Sequence, residues 1–380
     1  MKKIMCVFGT RAEAIKMVPV IKAIDHEENL KNCVVVTGQH DTMLYQVLDI
    51  FNIKPDYDLK IMSRNQTLNQ ITIKILDKLE SIIQKENPDM ILVHGDTTTT
   101  FSAALASFYQ KIPIAHVEAG LRTGDKYSPF PEEMNRKITD YLSDLYFTPT
   151  LATREYLHLD RCNKHQIFVT GNTAIDVIKY TSTKKINSNF WNKFINKKII
   201  LITMHRRENQ GRPMNKVCRA LEKIVKNNDD VEVIFPIHKN PKVRKIVLES
   251  FDNFERIHLI EPLGIFEFHD LMSNCYLILT DSGGIQEEAP FFNKPVLILR
   301  DTTERPEGLK TKALKLIGTS EENVYREVNT LLKNDKEYDL MAYAVNPYGD
   351  GKAAERILGV IKYYFGLSDN YPDEFSIEMN

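Results

Sequence analysis

Three carboxylates in the N-terminal half of this chain, Asp96, Glu118 and Glu132, are the side chains best suited to moving protons. Asp96 lies in His94-Gly95-Asp96-Thr97, Glu118 in His116-Val117-Glu118-Ala119-Gly120, and Glu132 in Pro131-Glu132-Glu133. Like charges held close raise one another's pKa, which suits acid/base work near neutral pH. Asp96 has a second use open to it, as cap of a helix beginning at Thr97-Thr98-Thr99. Glu133 reads as the solvated member of its pair.

Other clusters suit an anion. Gly9-Thr10-Arg11 runs from a strand into a helix whose first turns hold Glu13 and Lys16; exposed amides, Arg11 and Lys16 together would hold a phosphate. The competing reading is a plain strand–helix turn with Lys16 in water. His205-Arg206-Arg207-Glu208-Asn209 gathers two guanidinium forks and an imidazole, which match phosphate oxygens. Against this stand interdomain salt bridges to Glu208. Asp281-Ser282-Gly283-Gly284 precedes a helix carrying Glu287 and Glu288. Its glycines let amides approach a diphosphate, Ser282 adds a donor, and a glutamate one turn on grips ribose hydroxyls. The alternative is a glycine-rich turn with a capped helix.

Several common sites are excluded by pattern. After the first strand only Gly9 is present, so the dinucleotide fingerprint is missing, and Gly351-Lys352 is followed by Ala353, so there is no P-loop. The ten histidines show no zinc spacing, and Gly171-Asn172 is followed by Thr173, not by a metallophosphatase histidine. No metal or cofactor is expected.

The elements that must position these residues alternate between apolar strands and amphipathic helices, the pattern of an α/β fold with parallel sheets. Strands are expected at 3–8, 33–37, 90–94, 113–117, 145–148 and 167–170, with helices at 13–24, 69–85, 99–110 and 131–143. After a linker over 180–196 the plan repeats, with strands at 199–203, 231–236, 257–260, 276–280 and 295–299. Helices are expected there at 214–226, 241–249, 266–273 and 285–292, and a last one at 352–365. The expected architecture is two Rossmann-like domains facing each other across a cleft, 1–171 and 172–363, with the C-terminal helix crossing back and 364–380 packing on the first. Nearly every predicted strand ends at its carboxyl side in a charged residue or glycine, where ligands of open α/β sheets bind.

Formal net charge is −1, from 50 basic and 51 acidic residues, so bulk attraction to nucleic acid or an anionic membrane is not expected. No apolar run reaches membrane-spanning length, and Arg11, Glu13 and Lys16 interrupt the apolar N-terminus before a leader could form. Five cysteines are scattered without a C-x-x-C pair, and three of them, in apolar strand-like runs, read as buried thiols, which suits a reducing, cytoplasmic compartment.

Taken in order, these motifs resemble the bacterial non-hydrolysing UDP-N-acetylglucosamine 2-epimerases. The resemblance is carried by Gly9 through Lys16, Gly38-Gln39-His40, His94 through Thr97, His116 through Arg122, Pro131 through Asp140 and Gly171-Asn172-Thr173. It continues in His205 through Asn209, Asp281 through Glu288, and Asp301-Thr302-Thr303-Glu304-Arg305-Pro306-Glu307. It implies a glycosyltransferase-B-like fold, a homodimer, and interconversion of UDP-GlcNAc and UDP-ManNAc without NAD or metal, for cell-envelope polysaccharide synthesis. In that family UDP leaves C1 as the C2 proton is removed, giving 2-acetamidoglucal; the proton returns to the other face and UDP re-adds.

The resemblance assigns Asp96, Glu118 and Glu132 to acid/base work, with Lys16 and His205 supporting charge. Arg11, Arg136, Ser282, Gly283, Gly284, Glu288 and Arg305 fall to UDP and substrate. A second, activating UDP-GlcNAc would meet Gln39, His40, Arg64, Glu132, Arg206 and His238. The chain departs from the family at Asp41-Thr42, where many members carry a longer polar pair. Two rival readings share parts of this plan: a hydrolysing 2-epimerase releasing ManNAc and UDP, and a glycosyltransferase of the same fold class.

Overall fold

A computed structural model describes residues 1–39, 42–63, 66–182, 190–251, 254–303 and 305–376. The described chain forms two compact units, Met1–Val177 with the segment from Tyr348 onward, and Ile178–Pro347.

The first unit is built on a seven-stranded parallel sheet. Its strands are β1 (Lys2–Phe8), β2 (Leu30–Val36), β3 (Tyr57–Asp58), β4 (Met90–His94), β5 (Ile114–Val117), β6 (Leu145–Thr148) and β7 (Ile167–Val169). Their order is β3-β2-β1-β4-β5-β6-β7. All five residues of β4 are buried, as a central strand covered on both faces must be. The helices follow from local chemistry. Thr10 and Glu13 form a capping box for the helix Arg11–Asp25, and Thr67 with Gln70 does the same for Leu68–Glu86. The second of these helices ends at Asn87 (φ 42°), ahead of Pro88.

The second unit carries a six-stranded parallel sheet of β8 (Lys198–Thr203), β9 (Val231–Pro236), β10 (Ile257–Ile260), β11 (Leu277–Thr280), β12 (Val296–Ile298) and β13 (Leu314–Leu316), ordered β10-β9-β8-β11-β12-β13. In both sheets the first strand lies between two strands reached by opposite windings. The switch points are therefore β1/β4 and β8/β11, the places where an open α/β sheet opens a crevice for a ligand.

The C-terminal helix Ala353–Tyr364 returns to the first unit. It buries Ala353, Ala354, Ile357, Val360 and Ile361, packs on Arg11–Asp25, and pairs Lys362 with Glu27 at 2.7 Å. The Asp176 carboxylate caps its first turn, accepting from Ala353 (3.2 Å) and Ala354 (2.8 Å). The unit boundaries thus fall at Val177/Ile178 and Pro347/Tyr348, not at 171/172 and 363/364, because the whole return helix buries its apolar face against the first unit. Two strands were not anticipated, β3 and β13; at two and three residues they are too short to show alternation. Residues 183–189 of the expected linker lie outside the described residues.

Candidate active site

In the first unit the switch point gathers side chains from five segments. Gly9 ends β1, and a Cβ there would sit 2.0 Å from Thr37 Oγ1 and 2.4 Å from Thr99 Oγ1, so only glycine fits. Beyond it the Gly9 and Thr10 amides donate to Glu13 at 3.1 and 2.8 Å, and Thr97 and Thr100 donate to the other Glu13 oxygen at 2.7 and 2.9 Å. The Gly9 and Thr10 amides ahead of this helix are thus taken by the chain's own carboxylate. Burial pushes the Glu13 pKa up, and these hydrogen bonds oppose the rise.

Lys16, one turn on, pairs with Glu118. Glu118 follows β5 with φ 64°, a left-handed backbone that non-glycine residues adopt at a cost and that clusters at functional sites. Asn172, just after β7, donates to the same Glu118 oxygen at 3.2 Å, and His94 Nε2 stands 3.8 Å from it. Asp96 pairs with Arg136, and Asn135 donates to the Asp96 carbonyl at 3.0 Å. Each carboxylate thus meets its own cation. The N-cap reading of Asp96 is overturned, because Thr97 caps the helix Thr98–Tyr109.

Behind this pair lies a buried polar chain. Arg122 donates to Asp160 (2.8 Å) and Asp140 (2.6 Å); Asp140 meets His116 Nδ1 at 2.6 Å, and His116 Nε2 meets the Gly95 carbonyl at 2.7 Å. It fixes the left-handed Gly95 turn (φ 68°) ahead of Asp96. Burial would raise the Asp140 pKa, but His116 and Arg122 hold it below the ordinary carboxylate range.

The second unit's switch point is organised differently. Asp281, fully buried at the end of β11, accepts from the amides of His205 (3.0 Å) and Arg206 (2.9 Å) and from Asn209 Nδ2 (3.0 Å). It clamps the turn after β8. The His205 ring stacks on His238 with centroids 5.2 Å apart, and burial lowers its pKa against the pull of Asp281. After Ser282 comes the short helix Gly283–Glu288. The Arg305 guanidinium rests against Gly283 and donates to Glu287 at 2.6 Å, while Glu288 lies 3.6 Å from His269. Glu208 faces Arg300 of the same unit at 3.7 Å.

A family model for UDP-N-acetylglucosamine 2-epimerase matches residues 22–362. The chain belongs to that family. The UDP-N-acetylglucosamine 2-epimerase of Bacillus subtilis is 49% identical over 374 residues, 98% of each chain. A structure of S. aureus MnaA with UDP is 52% identical, with a TM-score of 0.88 over 99% of this chain and 100% of that one. The Neisseria meningitidis UDP-GlcNAc 2-epimerase bound to UDP-GlcNAc is 43% identical, with a TM-score of 0.86 over 95% and 100%. These solved structures share the two parallel sheets and alternating helices of this α/β fold.

Within this epimerase-family chain, Lys16 and Glu118 are in contact, as are Asp96 and Arg136. Arg136 is turned inward, donating to Glu133 (3.2 Å) and the Leu121 carbonyl (3.1 Å) as well, so it supports Asp96 from below. Glu132 heads the same helix, and its Oε2 is buried without a hydrogen-bond partner among the described residues. Glu133 is not solvated. It is fully buried and accepts from the Thr123 (3.0 Å) and Gly124 (3.3 Å) amides, holding the preceding loop. Arg11 is exposed, and Gln39 accepts from the Thr99 hydroxyl at 2.7 Å. Arg206 is half-buried and His238 exposed; His40 and Arg64 lie outside the described residues. Sequence reasoning passed over His94, Asn172 and Glu13 as site residues. Glu13 was detectable, since Thr10-x-x-Glu13 is the pattern of a capping box. Among the described residues no helix is long and apolar enough to cross a membrane.

Proposed function

We propose that this chain interconverts UDP-GlcNAc and UDP-ManNAc as a non-hydrolysing 2-epimerase, and that Asp96, Glu118 and Glu132 move its protons. The observation that carries the reading is Glu118: a carboxylate on a left-handed backbone at a switch point, held by Lys16 and Asn172. The C2 hydrogen of the sugar is not adjacent to a carbonyl, so its loss alone would leave an unstabilised carbanion. Loss of UDP from C1 in concert lets the C2–H electrons form the C1=C2 bond, while negative charge departs on the diphosphate. A carboxylate takes the C2 proton, a carboxylic acid returns one to the opposite face, and UDP re-adds at C1.

Lys16, Arg11 and His205 stabilise charge on the leaving group, and the Ser282–Gly284 amides bind it. Glu288 holds the ribose, and Arg305 completes the nucleotide contacts. Arg136 serves substrate by orienting Asp96. Support for the nucleotide assignment comes from the relatives solved with UDP and UDP-GlcNAc. A homodimer, a cytoplasmic setting, and a second UDP-GlcNAc at Gln39, His40, Arg64, Arg206 and His238 belong to the same proposal, on the family resemblance.

Proton NMR of the protein with UDP-GlcNAc in deuterated water tests it. UDP-ManNAc carrying deuterium at C2, with little free sugar, is the expected result. Free ManNAc and UDP would move the chain to the hydrolysing class. No deuterium and no new sugar would overturn the reading and turn attention to acceptor-dependent transfer.

A further inference from the structure

His94 closes β4 with a side chain only 4% exposed, and neither ring nitrogen meets a hydrogen-bond partner among the described residues. A buried ring left unpaired beside charged groups points to a partner acquired in another state of the cycle. The groups facing it are charged or titratable. Lys16 comes from the helix Arg11–Asp25, His116 from β5, and Glu118 from the end of β5, with its Oε2 at 3.8 Å from His94 Nε2. Asn172 and Lys16 reach the same oxygen. Burial pushes the His94 pKa down to about 3, against the pull of Glu118 and with Lys16 and His116 adding to the drop. The ring is therefore neutral at working pH.

Resting on the assignment of Glu118 as a proton-moving carboxylate, we propose that His94 is its positioning residue. Its Nε2–H replaces the Lys16 ammonium as a donor to Glu118 Oε2 while Lys16 turns toward the departing diphosphate. A closing of about 1 Å brings the pair to hydrogen-bonding distance. A neutral donor has a specific advantage here. A second cation would hold Glu118 too firmly ionised to return a proton, whereas no donor at all would leave a buried carboxylate that protonates too readily. His94 does not touch substrate in this role; it sets the basicity of the group that does.

The test is the pH profile of kcat for epimerisation in H94F, which removes the donor, and H94Q, whose amide reaches the Nε2 position. Loss of a donor to the charged form raises the Glu118 pKa, so the acid limb in H94F moves up by about one pH unit. The value of kcat falls about 10- to 100-fold with KM nearly unchanged, as for an interaction made after binding. H94Q brings the limb back and restores most of kcat. An unmoved limb in H94F, or equal shifts in both variants, overturns the proposal. Should H94F fail to fold, the 15N resonances of the wild-type ring decide. UDP is expected to shift Nε2 toward a hydrogen-bonded N–H in a neutral ring, and no change overturns the proposal. E118Q separates the two claims. Inactive E118Q beside an unmoved H94F limb removes His94 alone, while E118Q turning over at the wild-type rate removes the Glu118 assignment and this proposal with it.

Discussion

The two switch points obey the same topological rule and are built from opposite materials. In the first unit the proposed working groups are side chains, and two of the three carboxylates are fixed by an opposite charge: Glu118 by Lys16, Asp96 by Arg136. Behind them buried carboxylates, Glu13, Glu133 and Asp140, hold backbone or other side chains in place. In the second unit a buried carboxylate, Asp281, clamps a turn, and the groups proposed to meet the diphosphate are imidazole, guanidinium and backbone amide. The first arrangement suits groups that must change protonation state. The second suits groups that must only hold an anion, since amides and guanidinium forks do not titrate in the working range.

Breaking the first unit's chemistry without touching the second's recognition is the strongest test of that contrast. E118Q is expected to lower kcat by about 10³- to 10⁴-fold, the upper range for loss of a general acid/base, while UDP affinity by calorimetry stays close to wild type. D281N is the mirror experiment. Its amide offers donors to the His205 and Arg206 N–H groups that need acceptors, so unfolding stability should drop by about 2–4 kcal/mol. UDP affinity should fall at least tenfold with it. If E118Q weakened UDP as much as D281N did, the division of labour would be wrong.

Much of this plan is legible in the residues. The buried strands β4, β6 and β9 carry the boundaries their apolar runs suggest, because a strand covered on both faces announces itself over its whole length. The helices Thr42–Phe51 and Leu151–Leu159, lying between strands, escaped, as did Glu321–Lys333 after the last strand. At the site, Asp96 and Glu118 are legible as strand-end carboxylates. Their partners are not, since Lys16, Arg136 and Asn172 reach them across long stretches of chain. Glu133 misleads for a physical reason: a glutamate is almost always solvated unless it is paired, and the amides that pair it are visible only after folding. The left-handed backbone of Glu118 leaves no trace in composition.

Stability against pH sharpens the comparison, because two buried groups of the first unit, His94 and Asp176, have large shifts between pH 3 and 7. His94 has a folded pKa near 3, below its ordinary 6.5. Its contribution is full above 6.5 and is lost as pH falls toward 3, since the unfolded chain takes up a proton the folded ring refuses. Asp176, raised by burial to about 6 from 3.8, has the opposite sign: its contribution is full below 3.8 and is lost as pH rises through 6. Each gives a slope of up to about 1.4 kcal/mol per pH unit in its window. Urea unfolding between pH 4 and 7 is expected to lose the acid-side decline in H94Q. In D176N the alkaline-side decline should disappear. An unchanged slope in either variant would mean that the burial of that group is relieved in solution.

The smallest expected effect separates backbone from side chain in the second unit. A Cβ on Gly283 would sit 2.6 Å from Arg305 Nη1 and 2.9 Å from Cζ, whereas on Gly284 its nearest neighbour is Glu288 Oε1 at 3.8 Å. G283A must therefore displace the flexible end of Arg305 from its place beside Glu287, at a cost of about 1 kcal/mol. G284A meets only ordinary contacts, and a glycine-to-alanine change in a helix favours folding by about 0.5–1 kcal/mol. If UDP is held chiefly by Arg305, calorimetry will find affinity reduced several-fold in G283A and unchanged in G284A. If the diphosphate instead lies against the amides of both residues, the added methyl groups stand in its path and both variants weaken binding. The second result is the one expected of a site whose glycines admit the ligand to the backbone, and it would make the second unit's recognition a property of its main chain, in contrast to the paired side chains of the first.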